Sequence, residues 1–353
     1  MALSRHPSIW ASGFAVLILA CSSESSPDGA GGSGTSTGTG GSGASATGSG
    51  GSPSTGGSGV GGSPVSGGSS GSGGAAAGGS GGGSGGTGGA PSGSGGTGGS
   101  AGSPGGTGGA TPSSGCGAAN PPAEGPYSID VDGSSRDYIL APPSGYDPNR
   151  AYPLIFVWHP RGGSADQVAG GFMGGYNGLQ ALANDGAIFV APDGIDDGWA
   201  NTDGRDIAFL RAMLDRFNTE LCIDQSRIFS TGFSYGGMMS FAVGCAMGDV
   251  FRAIAPIAGA LYSGCEDGSA PIAMWGAHGI DDSVVPLDHG RQGLQEILDR
   301  NGCGTETAPI EPSPCVSYQG CTAGSPVTWC EFPGDHMVPN FAAQAIWDFF
   351  SQF

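Results

Sequence analysis

The chain has 353 residues, 74 of them glycine, and a formal net charge of −19. It contains no lysine, and residues 116–353 hold 10 arginines against 28 acidic residues, a balance that repels phosphate backbones and anionic lipid headgroups and excludes a nucleic-acid binder. The glycine excess lies in 29–115, 87 residues without a charged or aromatic side chain, so no packed core and no chemistry is expected before about residue 116.

Residues 1–21 read as an export signal. Arg5 supplies the positive start, and Ile9 to Ala20 is an apolar run of 12, too short to span a bilayer as a helix. The run ends Ile18-Leu19-Ala20-Cys21, which resembles a bacterial lipobox and makes Cys21 the expected lipidation site; simple cleavage and full secretion is the alternative. Such an anchor is the only membrane association expected. Residues 22–115 then form a Gly/Ser/Thr tether, and 116–353 form one domain, large enough to bury a core. Removing Cys21 leaves eight cysteines, all from Cys116 onward. An even number in an exported domain predicts disulfides, and Cys303, Cys315, Cys321 and Cys330 are expected to pair among themselves. Their spacing contains no CxxC pair, so no metal site is expected, and no cofactor.

Within the domain, strands are expected near 127–131, 136–140, 153–158, 188–191, 227–230, 253–258, 271–275 and 327–332. Helices are expected near 176–185, 206–219, 235–247, 289–300 and 340–351. Ile207, Leu210, Met213, Leu214 and Phe217 recur at three- and four-residue spacing and mark one apolar helix face. Early strands followed by strand–helix alternation predict an α/β fold: a mostly parallel, eight-stranded sheet covered on both faces. In such sheets chemistry gathers at the carboxyl ends of the strands.

Gly232-Phe233-Ser234-Tyr235-Gly236 matches G-x-S-x-G. The pattern also occurs in the tether, at 78–82, 82–86 and 98–102, where neither a strand-like nor a helical sequence pattern flanks it. Only Ser234 follows a strand-like run and opens a helical one, the context a nucleophile elbow requires. A serine nucleophile needs a histidine base and a carboxylate to orient it. His336, just after the last expected strand, is the best-placed base in the chain order Ser, acid, His. Asp281 and Asp282 are both candidate acids, and their residue types alone do not separate them. His278 reads as a structural loop residue. The oxyanion hole needs two backbone N–H donors. Tyr235 is one; the other comes from His159-Pro-Arg-Gly-Gly163, where Pro160 has no N–H, leaving Arg161 or Gly162. An aromatic acyl group would need an apolar slot. Trp158, Trp199, Tyr235 and Met238 are candidates to line it, though each could equally belong to the core.

Five motifs in order carry a resemblance: Trp158–Gly163, Ala191–Gly194 with Trp199, the Gly232–Gly236 elbow, His278–Pro286 and Gly334–His336. Together they resemble the α/β-hydrolase family of secreted carbohydrate esterases and polyhydroxybutyrate depolymerases. The resemblance implies an α/β-hydrolase fold and assigns the acid to Asp282. The cysteine-rich tail is more similar to the feruloyl esterase branch, which implies a serine esterase acting on hydroxycinnamoyl esters of plant cell-wall polysaccharide. Polyhydroxybutyrate depolymerisation and acetylxylan deacetylation are the enzymatic alternatives. A surface-tethered binding protein on a retired hydrolase scaffold is the alternative of a different class.

Overall fold

The computed structural model describes residues 109–353, apart from 172–173 and 266–267. The expected signal segment, Cys21 and all but the end of the tether lie outside the described residues. The bonded chain begins ahead of the expected boundary at 116. Thr111 donates its N–H to Asp224, Ser113 its hydroxyl to the Leu221 carbonyl, and Cys116 is disulfide-bonded to Cys222.

A hairpin opens the fold: β1 (Gly125–Val131) and β2 (Ser134–Ala141), joined through Asp132 and Gly133. Both turn residues have positive φ, the two-residue turn whose twist matches that of the strands. Then come β3 (Tyr152–Trp158), α1 (Ala165–Gly170), α2 (Leu179–Ala183), β4 (Ile188–Pro192), α3 (Arg205–Glu220), β5 (Ile223–Phe233), α4 (Tyr235–Ala246), β6 (Ala253–Ile257) and β7 (Ala273–Gly279). The chain closes with α5 (Leu287–Asn301), β8 (Thr307–Pro309), β9 (Cys315–Tyr318), β10 (Val327–Phe332) and α6 (Ala342–Phe350). All strands join one sheet in the order β1-β2-β4-β3-β5-β6-β7-β10-β9-β8. The run from β4 to β10 is parallel throughout, and antiparallel strands flank it on both sides.

Strand β3 shows why the sheet is covered twice. All seven of its residues are buried. Leu154, Phe156 and Trp158 pack with α3, α4 and α5 side chains such as Phe217, Phe241 and Ile297. Ile155 and Val157, pointing the other way by the two-residue repeat, pack with Leu179, Ile346 and Phe350. The five periodic residues of α3 are all buried, as their spacing predicts.

Two expectations change, and one helix is added. The sheet has ten strands, not eight: β9 and then β8, the edge itself, extend it beyond β10, are only four and three residues long and bury only Cys315, so neither has the apolar run that marks a buried strand. The disulfides Cys303–Cys321 and Cys315–Cys330 tie this edge to α5 and β10, pairing the four clustered cysteines among themselves. The helix expected at 176–185 shrinks to Leu179–Ala183, because Tyr176, Asn177, Asn184 and Asp185 adopt positive φ. Helix α1, whose Ser164 cap accepts the Gln167 N–H, lies in a stretch too short to show periodicity. Cys245–Cys265 completes the disulfide set.

Candidate active site

Ser234 stands between β5 and α4 with φ 57° and ψ −118°. A non-glycine residue at such φ carries strain of about 1–3 kcal/mol, which the surrounding packing must hold. Two glycines make that packing possible. A Cβ on Gly236 would fall 2.1 Å from the Trp158 carbonyl oxygen, and one on Gly232 2.5 Å from the Gly236 carbonyl carbon. The Ser234 N–H donates to the Ile257 carbonyl, locking the turn onto β6.

His336 arrives on the loop after β10. Its Nε2 lies 2.8 Å from Ser234 Oγ, and its Nδ1 lies 2.8 Å from Asp282 Oδ2. The ring rests against Phe233. Asp282, buried on the loop after β7, is held from both oxygens. Oδ1 accepts the N–H groups of Val284 and Val285, and Oδ2 faces both His336 Nδ1 and His278 Nε2, the latter at 3.3 Å. The choice between adjacent carboxylates is thus geometric, because the Asp281 side chain is exposed while its backbone N–H pairs with Gly334. Asp335, next to His336, has a different task. Its carboxylate accepts the Ser283 N–H and hydroxyl and the His336 N–H, strapping the acid loop to the histidine loop. Those donors, the Ser283 N–H foremost, hold its carboxyl below the ordinary aspartate value.

His278 is fully buried; Nε2–H donates to the Val285 carbonyl, and Nδ1 has no hydrogen-bond partner among the described residues. Nδ1 faces Gly290, where any Cβ would collide with it. Burial pushes its imidazole down, so it stays neutral and serves as a wall of the acid loop.

The turn after β3 is built around His159. Its Nδ1–H donates to the Pro160 carbonyl, and its Nε2 accepts the Gly194 N–H. Burial pushes this imidazole down as well. In a trans peptide the carbonyl and the following N–H point in opposite directions, so the Arg161 N–H points away from the ring that holds Pro160. Among the described residues it finds no acceptor in the protein. Gly162 is excluded as the second oxyanion donor, because its N–H is spent on the Asp197 carbonyl. Arg161 remains. Tyr235, the first residue of α4, has an N–H with no carbonyl one turn back inside the helix.

Trp158 and Trp199 do not line a slot. Both are fully buried, packed edge to face, with indole N–H groups donating to Ser230 Oγ and the His159 carbonyl. Trp199 is a prop for the turn, not a substrate contact. Met238 packs with Ala260, Val285 and Tyr235 beside the elbow. The apolar cleft that does reach His336 measures about 940 Å³ and is lined by Val168, Gly171, Phe233, Met337 and Val338 among others. The helix α1 contribution had no signal in the sequence; Phe233 and Met337 were legible only as neighbours of Ser234 and His336. Among the described residues, no cluster of three or more His, Cys, Asp or Glu side chains could hold a metal, and no helix is long and apolar enough to cross a membrane.

Three comparisons bear on this geometry. Residues 179–264, which include the elbow, match the model of the prolyl oligopeptidase family. Feruloyl esterase D of Neurospora crassa is 39% identical over 246 residues, covering 64% of this chain and 85% of the relative. Feruloyl esterase C of Emericella nidulans is 40% identical over 229 residues, covering 62% and 84%. Among solved structures, the acetyl xylan esterase from Aspergillus awamori superimposes with a TM-score of 0.53 at 13% identity, over 65% of this chain and all of that one, a likeness of fold.

Proposed function

The chain belongs to the feruloyl esterase family and is a serine carboxylic ester hydrolase, and on that premise we propose that it releases hydroxycinnamate from plant cell-wall polysaccharide through Ser234, His336 and Asp282. The observation that carries the proposal is the unbroken hydrogen-bond chain from Ser234 through His336 to Asp282, set at the mouth of an apolar cleft.

Ser234 Oγ forms a bond to the ester carbonyl carbon while its proton passes to His336 Nε2. The carbonyl electron pair moves onto oxygen, where the Tyr235 and Arg161 N–H groups receive it. Collapse of this intermediate breaks the bond to the alcohol oxygen, and His336 returns the proton to the departing alkoxide. Water, deprotonated by His336, then cleaves the acyl–Ser234 ester, releasing the acid and restoring the hydroxyl. Asp282 stays ionised and steadies the imidazolium. The aromatic acyl group lies in the cleft between Phe233 and Val338. Export fits the four disulfides, which persist in oxidising compartments, and a lipid anchor at Cys21 with a tether over 22–115 fits the sequence pattern there.

The test offers the full chain methyl ferulate, feruloylated arabinoxylan, acetylated xylan and polyhydroxybutyrate, with Ser234→Ala as blank. Ferulate release well above acetate and hydroxybutyrate release is expected. Dominant acetate or hydroxybutyrate release overturns the substrate assignment. No release, with no covalent labelling of Ser234 by a serine-hydrolase probe, overturns the catalytic roles in favour of a binding protein.

A further inference from the structure

We propose that the carbohydrate half of the ester is held in a separate polar subsite between α3 and α4, with the Tyr262 ring as its platform; this rests on the feruloyl ester reading above. The two halves of such an ester differ chemically. One is a flat apolar ring, the other a neutral, hydroxyl-rich sugar. The molecule offers two cavities of matching character. The apolar cleft beside His336 suits the first half. A second basin, of about 640 Å³, is lined by Asn201, Asp203, Arg211 and Tyr262, with Ala242 and Ala246 of α4 on its wall.

Tyr262 connects this basin to the site. It sits on the short turn after β6, directly beyond Ala260, which packs against Met238 in the first turn of α4. By helix rise, the basin wall from Ala242 to Ala246 lies about 12–18 Å from Ser234 along α4, the distance of a few sugar rings from the scissile bond. Tyr262 is 57% exposed. Among the described residues the other exposed large apolar side chains are Ile280, Val284 and Met337, and all stand on the loops leaving β7 and β10. Scattered exposed apolar residues are ordinary, but confinement to the rim of one site marks a contact surface. The Tyr262 ring is also held in place. Its hydroxyl bonds His289 Nδ1, and the two rings meet edge to face with centroids 5.5 Å apart. A ring already fixed loses little side-chain freedom on binding. Asp203 and the acidic balance of the domain disfavour an anionic ligand, and a neutral sugar meets no such penalty.

The experiment compares methyl ferulate with a feruloylated arabinoxylo-oligosaccharide, using the full chain and its Tyr262→Ala and Tyr262→Phe variants. Tyr262→Ala is expected to leave kcat/KM on methyl ferulate within twofold and to lower it on the oligosaccharide ester about tenfold, through KM; Tyr262→Phe should retain most of it. An equal loss on both esters, or no loss on either, overturns the subsite while leaving the esterase assignment standing. Should methyl ferulate resist hydrolysis, the esterase reading fails separately. Binding of ferulate-free arabinoxylo-oligosaccharide to Ser234→Ala, with and without Tyr262→Ala, then decides the subsite. Weaker binding in the double variant supports it, and equal or undetectable binding overturns it.

Discussion

Two loops at the carboxyl edge of the sheet each carry a histidine, and they use it in opposite ways. After β3, His159 spends both ring nitrogens on backbone groups, the Pro160 carbonyl and the Gly194 N–H, and is fully buried. After β10, His336 spends both nitrogens on side chains 102 and 54 residues distant, Ser234 and Asp282. A ring bonded to backbone on both sides cannot accept a proton without losing a partner, so it acts as scaffold. One bridging a hydroxyl and a carboxylate can gain a proton on one side while the carboxylate stabilises the resulting charge. The same residue type in the same kind of loop is thus assigned by its partners.

The largest effects should come from the His336 side. Ser234→Ala and His336→Ala are each expected to lower kcat by about 10⁶-fold, and Asp282→Ala by roughly 10⁴-fold, with an unchanged far-ultraviolet spectrum. A loss smaller than a hundredfold for His336→Ala would dissolve the contrast between the two loops. On the other loop, His159→Phe strands a buried donor and acceptor at about 1–3 kcal/mol each. It also frees the peptide that aims the Arg161 N–H, so kcat should drop about 10²-fold alongside a lower Tm. Unchanged kcat with lowered Tm would leave His159 a packing residue alone.

A pH series sharpens the comparison further. Burial holds His159 and His278 below the ordinary imidazole value. Below about pH 6.5 the unfolded chain therefore binds protons at these positions that the folded chain does not. Stability from this source is complete above that pH and declines as pH falls toward the folded values. Urea midpoints at pH 8 and pH 5 should show the decline, and His278→Gln should make it shallower. The smallest expected effect belongs to Asp335→Asn, which weakens the strap between the acid and histidine loops. Kinetics should show a loss of a few-fold in kcat with KM unchanged; a loss near that of Asp282→Ala would mean that the strap, not the buried carboxylate, orients His336.

Much of this was legible in the chain, unevenly so. The buried strands announced themselves through apolar runs such as Tyr152–Trp158, and α3 through its three- and four-residue spacing. The last two strands, β9 and the edge strand β8, did not, because they are four and three residues long and bury only Cys315, too little for an apolar run. The misassigned residues share a cause: Trp158 and Trp199 lie inside the motifs, yet motif membership does not say which way a side chain points. Their indole N–H groups face Ser230 and the His159 carbonyl, away from any cleft.

By itself the sequence determined the α/β layering, the serine at a strand-to-helix turn, and a histidine and acids in workable order. These follow from local periodicity and from residue types that few other chemistries need in that arrangement. Residue types left Asp281 and Asp282 open and only the motif resemblance pointed to Asp282; tertiary structure alone decided that the Gly162 N–H is already spent on Asp197 and that the apolar cleft is lined by Phe233, Val338 and α1. Each of those outcomes depends on contacts between segments far apart in the chain, and the direction of one N–H or one carboxylate is set by its partner across the fold, which no local pattern records.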